Sequence, residues 1–137
     1  VELEAELDDE TRTLAKIGRR EAITAATTKH LYAAYMERWR RRVEEVGNLN
    51  YPRGASGSVI VHIAVRADGS LEQARILKPS ASSLVNESAL NIARMAAPFP
   101  PFPANVKEKT DILDIIRTWH FLHDGNALEL NTTDTRP

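Results

Sequence analysis

Cysteine is absent from the 137 residues. That excludes a disulfide framework and a thiolate site while leaving the compartment open. Aromatic residues are scarce, at 6%, so the core is expected to be aliphatic. Hydrophobic residues reach 42% of the chain, enough for one core in one domain with some flanking sequence. No apolar run of about eighteen residues occurs, so no segment is expected to span a membrane as a helix. Charge of one sign is not in excess either. The net value of −1 gives no global bias toward nucleic acid. No internal repeat is visible. The chain opens on Val1 without a signal-like segment, which leads us to expect a piece of a longer protein.

What is present begins with an acidic stretch, VELEAELDDE at 1–10, which reads as a solvated tail. Residues 11–28 are rich in Ala, Thr and Arg with a modest helical signal, so 1–28 as a whole reads as an acidic, weakly helical flank. A stronger pattern follows. Tyr32, Tyr35, Trp39, Val43 and Val46 recur at three- and four-residue spacing, which predicts a helix over 29–46. Gly47 is expected to stop it, and Asn48 to Pro52 to be non-helical. Arg38, Arg40, Arg41 and Arg42 could bind an anionic polymer, but Glu37, Glu44 and Glu45 at helical spacing favour a solvated face of ion pairs.

A sheet is predicted next. In SVIVHIAVR, Val59, Val61, Ile63 and Val65 alternate with Ile60, His62, Ala64 and Arg66, giving one apolar and one mixed face. Asp68-Gly69 favours a tight turn, and LEQARILK returns antiparallel. Leu71, Ala74, Ile76 and Leu77 cannot share a face, so a bulge or twisted end is expected there. Ser82 or Ser83 can cap a helix whose stripe is Val85, Ala89, Ile92, Ala93 and Ala96, widened by Leu84 and Met95. AAPFPPFP at 96–103 then holds four of the seven prolines and two of the three phenylalanines. Pro98 ends the helix. The remainder suits either a PxxP ligand or a rigid strap whose Phe99 and Phe102 close the core; its place between two ordered elements favours the strap. DILDIIRTWHFLHD is a last long strand, with Leu113, Ile115, Trp119 and Phe121 on one face and Ile112, Ile116 and Leu122 on the other. ALEL at 127–130 can add a short fourth strand, and 125–137 reads as a C-terminal tail.

Chemistry finds little purchase. On a strand, His120 and His123 point to opposite faces, the wrong geometry for one metal ion. His62 has no sequence-near carboxylate, and His30 lies on a surface helix. Asp111 and Asp114 could form a carboxylate pair, but no nucleophile or phosphate loop accompanies them. GASG at 54–57 precedes a strand, whereas a phosphate cradle precedes a helix. Asn86-Glu87-Ser88 and Asn131-Thr132-Thr133 match the glycosylation sequon, a pattern common by chance. No catalytic residue, metal site or cofactor is expected, and the chain is not read as an enzyme.

The order of these pieces resembles the C-terminal domain of the TonB family. The resemblance rests on Tyr51-Pro52, GSVIVHIAVRADGSLEQARILKPS at 57–80, SALNIARMAAPFPPFP at 88–103 and TWHFL at 118–122. One departure is visible. Between Tyr51-Pro52 and Gly57 the family usually has a short helix, and here only RGAS intervenes. The resemblance implies an α+β fold: a three-stranded antiparallel sheet with helices packed on one face, a β-β-α-β core preceded by a long helix. The TonB-like domain would then occupy 29–124, its sheet–helix core 57–123.

The implied function is that of a periplasmic domain in an inner-membrane-anchored protein. Such a protein is driven by an ExbB/ExbD-type motor through an N-terminal region absent here. It grips outer-membrane receptors through a short segment, the TonB box, which joins the edge of the third strand. Carried over by position, partner binding falls on Asn48, Leu49, Asn50 and Tyr51 and on Ile112, Leu113, Asp114, Ile115, Ile116, Arg117, Thr118, Trp119, His120 and Phe121. Asn48 stands where the family often has glutamine. The alternatives are a TolA-like or other envelope adaptor that serves no nutrient receptor, and a sheet domain that forms a homodimer by edge pairing.

Overall fold

The computed structural model describes residues 19–25, 29–123 and 127–130. Its elements in chain order are β1 (Arg20–Thr24), α1 (His30–Leu49), β2 (Gly57–Arg66), β3 (Leu71–Lys78), α2 (Ser83–Ala96), α3 (Ala104–Lys107), β4 (Ile112–Leu122) and β5 (Ala127–Leu130). The architecture is α+β, with helices packed on one face of a sheet. Among the described residues that sheet is mixed and has five strands, not the expected three antiparallel ones. β3, β2 and β4 form the antiparallel centre, β1 joins β4 in parallel, and β5 joins β4 antiparallel.

The two extra strands come from segments read as flanks. REAIT at 20–24 is strand rather than weak helix because Ile23, fully buried, pairs opposite Ile115 and fills the core face. Tertiary pairing here overrides a weak local propensity. ALEL forms β5 as the alternation suggests, with Leu128 and Leu130 buried. The sequon at Asn131 and the acidic stretch at 1–10 lie outside the described residues.

α1 follows its predicted stripe: Tyr32, Tyr35, Trp39, Val43 and Val46 are all buried. It does not stop at Gly47. The helix runs to Leu49 and is closed by Asn50, whose backbone N–H and side-chain amide both donate to the Val46 carbonyl. Gly47 serves packing instead, since a Cβ there would lie 2.4 Å from Leu128 Cδ2. The arginine cluster is largely spent on the helix itself: Arg40 pairs with Glu37 and Glu44, and Arg38 sits over the Tyr35 ring. Arg42 caps α2 by donating to the Ala96 carbonyl at 3.0 Å.

Along β2, Val59, Val61, Ile63 and Val65 face the helices and are buried. β3 carries the anticipated irregularity: the β2–β3 register shifts between Ile60 and Val61 and again between Ala64 and Val65. Ser82 caps α2 by accepting from the Val85 N–H, and the α2 stripe is buried as predicted. Its expected widening fails, because Leu84 and Met95 remain 40% and 45% exposed. The proline segment is a strap. Phe99 and Phe102 are buried, and their N–H groups donate to the carbonyls of Gly69 and Ala67 in the β2–β3 turn. The core is also less aliphatic than composition suggests. Trp39, Trp119, Tyr35 and Phe121 are among its largest fully buried side chains, so the few aromatics are concentrated there.

Candidate functional site: the outer rim of β4

β4 is the hub of the sheet. On one side it pairs with β2 over ten consecutive residues, from Gly57↔Phe121 to Arg66↔Ile112. The other side is the rim on which sequence reasoning places a partner strand, and that rim is not open. β1 covers Ile112–Ile116, and β5 covers Trp119–Leu122. The expectation of a free edge at 112–121 is therefore corrected: flanking segments complete the ladder, as an unpaired edge strand otherwise invites foreign chains.

The two covers are fastened differently. β5 is wedged between β4 and α1. Its Leu128 N–H donates to Asn48 Oδ1 at 2.8 Å, and its Leu130 N–H to Glu44 Oε2 at 2.9 Å. Side chains of α1 thus take up the outward amides of β5, as a further strand would. This also places the predicted segment before Tyr51-Pro52. Asn48 is engaged inward, Leu49 projects at 79% exposure, and Asn50 caps the helix. Tyr51 packs on Phe121 at 5.9 Å between ring centroids, with its hydroxyl between the carbonyls of Ala55 and Leu122. Burial raises the Tyr51 hydroxyl above its ordinary pKa. Asn48, Tyr51 and Phe121 gather at one end of β4; Ile112–Ile116 lie at the other.

Among the described residues, β4 is the only strand neighbour of β1. Its side chains divide by strand alternation: Ile23 enters the core, whereas Arg20, Ala22 and Thr24 share the opposite face with Ile112, Asp114 and Ile116. On that face Arg20 forms a fork with Asp114, Nε to Oδ2 at 2.9 Å and an Nη to Oδ1 at 2.7 Å. It also reaches Glu72 on β3. Asp114 in turn accepts from His62 Nε2 at 2.8 Å. Arg75 donates to His62 Nδ1 at 2.9 Å, so Nδ1 accepts and Nε2 carries the hydrogen that reaches Asp114. The result is a charge-balanced chain, Arg75–His62–Asp114–Arg20–Glu72, across four strands.

Hydrogen bonds to Asp114, then to Glu72, raise the Arg20 guanidinium pKa. Burial by itself would raise the Asp114 carboxyl, but bonds from Arg20 and His62 outweigh it and hold it below the ordinary value. Asp111 does not pair with Asp114; it lies 3.5 Å from Arg19.

Sequence reasoning missed Arg20, Glu72 and Arg75. The strand alternation put His62 and Asp114 on faces but could not bring together residues 52 positions apart. Of the other candidates, Asn86 of the sequon exchanges two hydrogen bonds with the Ser80 backbone. Among the described residues, no group of three or more His, Cys, Asp or Glu could hold a metal ion. Among them too, no helix is long and apolar enough to cross a membrane.

The family model described as Gram-negative bacterial TonB protein C-terminal matches residues 48–121. No curated protein and no solved structure matches the chain. The matched span begins at the end of α1 and stops one residue short of the end of β4, so β1 and β5 both lie outside it. It holds β2, β3, α2, the strap and all but the last residue of β4 in the order described above, over more than half of the sequence. The chain belongs to the C-terminal domain family of the Gram-negative bacterial TonB protein, a family of periplasmic energy-transducing domains.

Proposed function

We propose that this domain grips an extended segment of an outer-membrane receptor by strand addition along β4. It then passes to the receptor the pull of a proton-driven, ExbB/ExbD-type motor in the inner membrane. The observation that carries the reading is the make-up of the β4 rim. An eleven-residue strand is covered there by strands of five and four residues, both drawn from outside the family span.

The five-residue cover is the weaker. β1 commits one large apolar side chain to the core. Beside its backbone ladder and the Arg19 bonds to the Lys107 and Glu108 carbonyls, it is held by partly exposed ion pairs, each worth about 0–1 kcal/mol. Residues 112–116 are therefore where a competitor gains entry. An incoming strand recovers backbone hydrogen bonds of roughly 0.5–1.5 kcal/mol each, enough for a grip that also lets go. Titrating the isotopically labelled chain with peptides from candidate receptor boxes tests this. Amide shifts at 112–116, accompanied by changes at 20–24, are expected; binding that leaves 112–121 unmoved would overturn it.

The filled rim also favours a second reading, a TolA-like envelope adaptor that keeps β4 covered. Deleting the parent gene and measuring uptake of iron complexes separates the two. Impaired uptake supports the transducer, and normal uptake the adaptor.

A further inference from the structure

We infer that β1 is a built-in stand-in for the partner strand, and that the partner segment carries a guanidinium side chain followed three positions later by a branched aliphatic one. The inference rests on strand addition at β4 and names the chemistry of the strand added. Three features of the slot define that chemistry.

The first is direction. β1 runs parallel to β4 in a register that sets Arg20 beside Ile112 and Ile23 beside Ile115. A strand that replaces it hydrogen bond for hydrogen bond runs the same way. The second is an apolar notch: Ile23 is 1% exposed, and an occupant without a comparable side chain there leaves a void beside Ile115. The third is charge. When Arg20 leaves, Asp114 and Glu72 lose their shared cation. His62 gives Asp114 a single hydrogen bond, which does not restore the fork that bridges both carboxylates. A carboxylate in a partly buried site without its cation is costly, so an occupant that restores the fork is favoured over one that does not. Arginine fits better than lysine because two carboxylates are bridged from one planar group. Between the two anchors Ala22, opposite Asp114, is small, so the pattern is Arg-x-small-aliphatic.

A tethered β1 also sets a threshold. A segment joined through a short connection competes at an effective concentration on the order of millimolar. A free strand must exceed that before it is admitted, which makes β1 a filter as well as a model of its replacement.

The test uses the full chain. A blocked peptide with the sequence of residues 19–25 is titrated against it and against the Arg20→Ala/Ile23→Ser variant, beside peptides with Glu for Arg or Ser for Ile. The matched peptide is expected to bind the variant at least tenfold more tightly than the unaltered chain, with shifts at 112–116. Each altered peptide is expected to bind at least tenfold more weakly. Asp114→Asn should abolish the Arg-over-Glu preference. Glu72→Gln should weaken it and serves if the first substitution fails to fold.

Equal binding of the Arg and Glu peptides at 112–116 would overturn the inference and leave strand addition standing. Binding of no peptide to β4 would remove both. A concentration-dependent dimer lost in the Arg20→Ala/Ile23→Ser variant would give the slot to a second copy of the chain and overturn the receptor assignment.

Discussion

Replacing Ile23 by alanine should release β1 without unfolding the domain. Fixing five residues costs about 5–10 kcal/mol of backbone entropy. Against this stand a five-residue ladder worth on the order of 2–7 kcal/mol and the burial of Ile23, worth about 2–3 kcal/mol. The partly exposed ion pairs of Arg20 add roughly 0–2 kcal/mol together. The sums agree to within a few kcal/mol, so β1 sits close to detachment. Truncating a buried isoleucine to alanine costs about 2–5 kcal/mol, more than the docked strand has in reserve. Native-state hydrogen exchange reads the outcome. Amides at 20–24, and those of β4 that face them, should exchange at least ~30-fold faster, the equivalent of about 2 kcal/mol. Amides of Val59–Val65 should keep their protection. If protection instead falls throughout the sheet, β1 belongs to the cooperative core and cannot act as an exchangeable cover.

Other substitutions probe the rest of the frame. Gly69→Ala places a Cβ 2.1 Å from the Phe99 carbonyl oxygen at a φ of +91°; the strap cannot yield there, and denaturant unfolding should report a loss of about 3 kcal/mol or more. Gly47→Ala clashes with the end of the Leu128 side chain and is in ordinary contact with Ile92, so a loss of about 1–2 kcal/mol is expected, partly recovered by adding Leu128→Ala. The pH dependence follows from Asp114. A carboxyl held below its ordinary value stabilises the fold above that value, near pH 4, and the contribution fades as pH falls through its lower folded value. Asp114→Asn should therefore be less stable than the unaltered chain at pH 7, with the gap closing in thermal melts as pH falls through the lowered folded value of Asp114.

The family-matched part of the fold was legible because its signals are local. Alternation gave β2 and the faces of β4, Ser82 the start of α2, and Pro98 its end. What escaped depends on distant partners. Gly47 reads as a helix stop until Leu128 is known to press on it. REAIT has no strong pattern of its own and becomes a strand only because Ile115 offers Ile23 a neighbour. The site was half legible for the same reason. The alternation of 112–122 marks β4 as a long strand, but whether its rim stands open is decided by segments too short to announce themselves. Asp114 was set beside the wrong partner, Asp111, when it meets Arg20 across 94 positions of sequence.

The ten unbroken pairs between β2 and β4 bear on how this sheet withstands tension. A tug delivered lengthwise along β4 strains those rungs together, in shear, instead of opening them one after another from an end. Failure then requires many bonds to break at once, whereas a five-residue cover on the opposite rim lets go long before. If a partner strand takes the place of β1 as proposed, that short joint is the part that parts first, and the ten-pair ladder behind it stays whole.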